Sequence, residues 1–210
     1  MPKVRILDCG DCAVTVEFGN EISPETGKAV KKLDDVIKAD AKNGITETIP
    51  TFRSLTVVYS PTVISHKKLI SYLGTAIERS EKASGGKEEK TIHIIPVCYD
   101  GEFAEDLRDV ARLNGLTEEE VVNIHTGTDY LIYMIGFLPG FAYLGGLDKR
   151  IETPRLDSPR TKIPAGSVGI GGNQTGIYPL ASPGGWRLIG KTPLLPFDPE
   201  RDEPILYKSG

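Results

Sequence analysis

Between Gly136 and Pro199 the chain carries twelve glycines and nine prolines. No long helix survives such a density of breakers, because proline lacks the backbone donor and glycine loses the most freedom on folding. Short apolar stretches between them, Val168-Gly169-Ile170 and Trp186-Arg187-Leu188-Ile189, fit strands of a compact, turn-rich β-barrel. The last third of the chain is therefore expected to be mainly β.

The first 80 residues read differently. Val4 to Leu7 and Cys12 to Phe18 suggest two strands joined at Gly10-Asp11. Ser23-Pro24-Glu25 opens a helix by capping, a proline in the first turn and an acid at the positive dipole end. Its apolar stripe is Ala29, Val30, Leu33, Val36 and Ile37. Strands follow at Ile45–Ile49 and Leu55–Tyr59, then a second helix from Ser65 with Leu69, Ile70, Leu73, Ala76 and Ile77 on one face. Two helices against four strands suggest a ferredoxin-like α+β sandwich over residues 1–83.

Residues 84–90, without an apolar side chain, read as a linker. A second domain, 91–210, is expected to begin with an apolar strand through Ile95 and Val97. Helices follow at Phe103–Ala111, stopped by Asn114-Gly115, and after the capping box Thr117-Glu118-Glu119-Glu120.

A net charge of −4 argues against nucleic acid or an anionic membrane as the main partner. No apolar run reaches the roughly 18 residues of a membrane span, and the start lacks a signal-peptide pattern, so a cytoplasmic location is expected. The charge is uneven: nine acids against two bases from Asp100 to Asp129, but three acids against seven bases from Asp148 to Lys191. The second stretch suits a small anionic ligand. Within it Arg155 and Arg160 adjoin Pro154 and Pro159, and guanidinium forks suit carboxylates and phosphates. Ion pairs to Asp148, Glu152 and Asp157 are the competing reading.

Cys9-Gly10-Asp11-Cys12 precedes a strand rather than a helix, so thiol activation by a helix dipole is unsupported. Structural zinc needs four ligands, and beyond this pair only Cys98 and three scattered histidines remain, so buried or half-buried thiols are the simpler reading. No metal site is expected. Gly185-Trp186-Arg187-Leu188-Ile189-Gly190-Lys191-Thr192 spells a phosphate loop, but upstream and downstream prolines leave no strand–loop–helix context, so a barrel strand is expected. His66 and His93 read as structural. His125, at a helix C-terminus, would be stabilised in its charged form and could act as acid or anion contact. Phe137, Pro139, Gly140, Phe141, Tyr143, Gly184, Gly185 and Trp186 could wall a small-molecule pocket or fill a core. Gln174 lies among the glycines with both a donor and an acceptor.

These same residues carry a resemblance. His125-Thr126, Gly136-Phe137-Leu138-Pro139-Gly140-Phe141-Ala142-Tyr143-Leu144, Pro154-Arg155, Pro159-Arg160 and Ile163-Pro164-Ala165-Gly166-Ser167-Val168 resemble the allophanate hydrolase subunit 1 family. So do Gln174-Thr175-Gly176-Ile177-Tyr178-Pro179, Ser182-Pro183-Gly184-Gly185-Trp186 and Ile189-Gly190-Lys191-Thr192-Pro193. This family includes the 5-oxoprolinase B subunits and Kip-type inhibitors of a sporulation sensor histidine kinase. The resemblance implies a cyclophilin-like barrel for the second domain. It further implies a partner C subunit (an allophanate hydrolase subunit 2 homologue) and a transient A subunit. Together they would open 5-oxo-L-proline to L-glutamate with ATP and magnesium. It assigns Arg155 and Arg160 as anion clamps, His125 as acid or base and Gln174 as lactam contact. Phe137, Pro139, Gly140, Phe141, Tyr143, Gly184, Gly185, Trp186 and Lys191 would contact substrate. Fused relatives form half of a urea carboxylase carboxyltransferase, where biotin would be the cofactor.

Overall fold

The computed structural model describes residues 4–82 and 91–208; the expected linker at 84–90 lies outside them. The described residues fall into two compact units divided between Lys90 and Thr91. The protein is a mixed α/β chain of antiparallel sheets, with four α-helices among the described residues. None of the described helices is long and apolar enough to cross a membrane.

In the N-terminal unit β1 (Arg5–Asp8) and β2 (Ala13–Glu17) form a hairpin, α1 (Pro24–Asp40) leads to β3 (Ile45–Pro50) and β4 (Ser54–Tyr59), and α2 (His66–Lys82) follows. The sheet order is β1-β2-β4-β3, all antiparallel. β4 thus inserts between the two strands that α1 connects. Strand alternation decides the buried face: Val14, Val16, Leu55, Val57 and Tyr59 point into the core beside Val30, Leu33, Ile37, Leu69, Leu73 and Ala76. Ser23 caps α1 by accepting from the Thr26 amide. α1 ends at Asp40, with Ala41 left-handed, somewhat before the expected stop at Asn43-Gly44.

The C-terminal unit contains α3 (Leu107–Asn114), α4 (Glu118–Thr126) and the strands β5 (Leu131–Ile135), β6 (Ala142–Gly145), β7 (Arg160–Ile163), β8 (Ser167–Gly171), β9 (Gln174–Ile177), β10 (Ser182–Gly184) and β11 (Arg187–Lys191). Five strands form one antiparallel sheet, β11-β8-β9-β6-β5, and β10 pairs with β7 separately. From Gly136 to Pro199 the regular structure is strands and one short 3-10 turn, but the unit as a whole mixes helices with strands and the barrel does not close: among the described residues the sheet ends at β5 and β11.

The expected strand from Thr91 is absent. Ile95 and Val97 pack inward, yet Ile92 and Ile94 are 67% and 88% exposed. Contact with β11 is reduced to one bridge, Cys98 with Lys191. Continuing that antiparallel register would set Pro96 opposite Pro193, and neither residue has an amide proton to donate. In the other direction the β11 edge is occupied, because the Asp106 amide donates to the Leu188 carbonyl at 2.8 Å. The capping box of α4 forms as read, with Thr117 and Glu120 bonding reciprocally.

Candidate functional site

The five-stranded sheet has two unlike faces. Thr175 and Ile177 of β9, with Val168 and Ile170 of β8, meet a core that includes Leu107, Val110 and Val121 from the helices. The opposite face is paved with glycine: Gly169 and Gly171 on β8 lie beside Gly176 and Gln174 on β9, and Gly176 faces Tyr143 on β6. Trp186 lies across this pavement. A Cβ at Gly171 would stand 2.4 Å from its Nε1, one at Gly176 3.0 Å from its Cζ3, and one at Gly169 3.2 Å from its Cβ.

Around the indole stand Phe141 at 5.5 Å, Tyr143 at 6.0 Å and Tyr178 at 6.4 Å between ring centroids, near edge-to-face. Arg155 is exposed, with its guanidinium carbon 5.8 Å from the Trp186 ring centre. It makes no ion pair among the described residues. Arg155 and Arg160 both lie close enough to Tyr178 to act on its hydroxyl, opposing the upward push of burial on its pKa. The nearby Trp186 backbone opposes that push as well. Gly184 is required beside it, because a Cβ there would meet the Tyr178 hydroxyl at 2.6 Å.

The structure thus brings together Arg155, Arg160, Phe141, Tyr143, Gly184 and Trp186 of the expected residues. Gln174 shares the glycine face, and its Nε2 is buried without a hydrogen-bond partner among the described residues. Gly185 joins the wall through its carbonyl, which accepts from the Leu156 amide at 2.7 Å. Phe137 is 62% exposed with φ of 70°, a conformation rare for a residue with a Cβ, and its ring meets Phe141 at 5.5 Å. Pro139 is exposed, whereas Gly140 is buried against the tail, its carbonyl accepting from the Tyr207 hydroxyl. Lys191 is separate: it ends β11, roughly 13 Å from Arg187 at strand rise, and its ammonium sits over Phe103.

Arg160 is not a free clamp. Its Nη2 donates to Asp106 at 2.8 Å and its Nε lies 3.4 Å from Glu105. Arg187 likewise approaches Asp109, while Asp148 pairs with Arg150. Acids of the 100–129 segment therefore neutralise part of the basic one. The partners expected from sequence proximity are not those the fold supplies. Asp106 was missed because nothing local distinguishes it among nine acids.

His125 belongs to the other face. It is 6% exposed, with Nδ1 2.8 Å from the Tyr99 hydroxyl and Nε2 2.9 Å from Thr175 Oγ1. Thr175 donates its own proton to the Gly169 carbonyl, so it must accept from Nε2–H. That leaves Nδ1 as the acceptor for Tyr99, in a neutral ring. Burial pushes the pKa down to about 4, reversing the expected charged form. Unfolded His125 binds a proton near pH 6.5 and the folded ring does not, so stability is complete above that value and declines as pH falls towards 4. Between pH 7 and pH 5 the loss is about 2 kcal/mol. Denaturant titrations should show it, and His125→Gln should flatten this slope.

The three cysteines are exposed rather than buried. Among the described residues no group of three His, Cys, Asp or Glu could hold a metal ion. The phosphate-loop spelling is strand β11, whose backbone pairs with β8, so it cannot wrap a triphosphate. A cavity of about 330 Å³ lined by Asn123, Ile124, Gly127, Thr128, Gly146, Asp148 and Arg150 contains none of the expected site residues.

Fold and face together define a mixed α/β protein with antiparallel sheets and a cation set over an aromatic cluster. The family model described as carboxyltransferase domain, subdomain C and D, matches residues 4–207. The chain is 44% identical over 217 residues to the 5-oxoprolinase B subunit of Bacillus subtilis (strain 168), covering 99% of this chain and 90% of that one. It is 41% identical over 214 residues to the protein of the same name from Escherichia coli O157:H7, covering 100% and 94%. The crystal structure of TTHA0988 matches with a TM-score of 0.84 at 33% identity over 99% of this chain, which spans only 39% of that longer chain. The chain belongs to the carboxyltransferase domain, subdomain C and D, family, in the group of 5-oxoprolinase B subunits.

Proposed function

We propose that the chain is the B subunit of an ATP-dependent 5-oxoprolinase, a cytoplasmic hydrolase that converts 5-oxo-L-proline to L-glutamate together with C and A subunits. The single observation that carries the reading is Arg155, an exposed guanidinium without an acidic partner among the described residues, set above Trp186 on the aromatic face. A cation over an aromatic floor suits a small ring bearing a carboxylate. The unpartnered Nε2 of Gln174 is a donor for the lactam oxygen. Phe137, Phe141 and Tyr143 form the wall.

In this reading the B–C pair transfers the γ-phosphoryl of ATP to the lactam oxygen, releasing ADP and making the ring carbon electrophilic; water then adds on the A subunit, the ring C–N bond breaks and phosphate leaves. The β11 strand offers no phosphate cradle, so the nucleotide contacts are assigned to the assembled complex, and magnesium accompanies the ATP phosphates. The N-terminal unit is read as a ferredoxin-like sandwich in which β1 takes the place of a C-terminal strand. The open C-terminal sheet is read as part of a cyclophilin-like barrel whose cavity is completed by the related barrel of the C subunit.

The test is reconstitution of the chain with its partner subunits and measurement of ATP cleavage dependent on 5-oxoproline. Activity in the complex and none from the chain alone supports the reading. The family description favours a second one, half of a biotin-dependent carboxyltransferase; carboxyl transfer from a biotinylated carrier in the same complex would establish it. Suppression of sensor-kinase autophosphorylation, with neither activity present, would instead identify a Kip-type inhibitor.

A further inference from the structure

Asp106 immediately precedes α3, where a carboxylate ordinarily caps the first free amides of the helix, yet its side chain makes no capping bond. It is turned the other way and is only 4% exposed. Oδ1 accepts from Arg160 Nη2 at 2.8 Å, and Oδ2 accepts from the Leu188 amide at 2.7 Å. Its own amide donates to the Leu188 carbonyl, and its carbonyl accepts from Val110 at 2.9 Å. One residue therefore joins three elements: the start of α3, strand β11 of the five-stranded sheet, and β7 of the separate two-stranded sheet.

These connections converge on the aromatic face. Leu188 lies two residues after Trp186, so the paired bonds to Leu188 fix where β11 begins and where the indole lies. Arg160 pairs across β7–β10 with Gly184, beside the Tyr178 hydroxyl. We infer that Asp106 is a positioning residue for this site, acting through Arg160 and the β11 edge to hold the Trp186–Tyr178 wall at one spacing. Burial keeps water from replacing either bond, and an acceptor with two oxygens is needed because both partners are donors. Asparagine, of equal size, would keep one acceptor and present a donor to the other partner.

The functional arm of this inference rests on the 5-oxoprolinase reading; the structural arm does not. Trp186 is the sole tryptophan of the chain, so its emission reports the wall directly. In the isolated, folded chain D106N is expected to shift Trp186 emission to the red and to raise its quenching by iodide several-fold. Arg160→Gln severs the same tie from its outer end, leaves the Leu188 bonds in place, and must move the emission in the same direction, even if D106N does not fold.

In the reconstituted complex D106N is expected to lower kcat/KM at least tenfold. The double variant D106N/R160Q should be no worse than the poorer single variant, because both act on one contact. Unchanged emission in R160Q, or losses that multiply in the double variant, would overturn the positioning role and leave Asp106 a helix-end anchor. A wild-type complex without 5-oxoproline-dependent activity would sink the enzymatic reading, while the emission measurements would still decide the positioning role.

Discussion

Replacing Arg155 by alanine is expected to lower kcat/KM of the reconstituted complex about a hundredfold while leaving the chain folded and able to bind its partners. The size follows from chemistry: two charge-assisted bonds from one guanidinium to a carboxylate, at about 1.5 kcal/mol each, sum to about 3 kcal/mol. Each 1.4 kcal/mol is roughly a factor of ten. The effect on stability is bounded from the other side. Arg155 is exposed and has no ion pair among the described residues, so alanine chiefly removes its contact with the indole, which at an exposed position contributes about 0.5–1 kcal/mol. For a chain of this size that lowers the unfolding midpoint by no more than about 4 °C. Arg155→Lys should fall between, since it keeps the charge and loses the fork. Full turnover in Arg155→Ala would show that the anion is held elsewhere.

Arg160 would not give so clean a result, and the difference shows where sequence reasoning stops. Both arginines sit near prolines in a basic segment, and by composition they are equivalent. Only the fold distinguishes them, because Asp106, 54 positions upstream, reaches Arg160, and among the described residues no acid pairs with Arg155. Long-range pairing of this kind leaves no local signal. Helix ends leave a clear one: Ser23 and the Thr117–Glu120 box could be read from residue types alone because their partners lie within one turn.

Strand patterning was legible where one sheet face was buried, as in β2 and β4, and misleading where pairing was required. Thr91 to Val97 has the apolar content of a strand, but facing prolines 96 and 193 deny it a ladder. His125 failed for a related reason. Its place at a helix end argues for positive charge, and a weak surface dipole effect of about 0.3–1 kcal/mol is overridden by burial between Tyr99 and Thr175.

The glycine-rich stretch was read correctly as a barrier to helices, yet the individual purpose of its glycines was invisible, and Gly171 carries the sharpest consequence. Its φ is not positive, so alanine suits the backbone and by reducing unfolded-state freedom would ordinarily stabilise by about 0.4–1 kcal/mol. The new methyl would instead stand 2.4 Å from Nε1, 2.5 Å from Cε2 and 2.6 Å from Cδ1 of Trp186. The ring cannot yield sideways, because Phe141, Tyr143 and Tyr178 surround it. Overpacking a closed site of this kind costs about 3 kcal/mol, so the sign is set by the clash. Net of the unfolded-state gain, Gly171→Ala should therefore unfold about 4–10 °C below the parent, with Trp186 emission shifted to the red as the indole is pushed off the sheet. Gly172→Ala is the control: φ is +68° with open space around it, so only the left-handed backbone penalty of about 1–2 kcal/mol applies and the emission should not move. Equal stability of Gly171→Ala and the parent, with unchanged emission, would mean that the indole does not lie on those glycines. The aromatic floor beneath Arg155 would then be lost as a physical basis for the site.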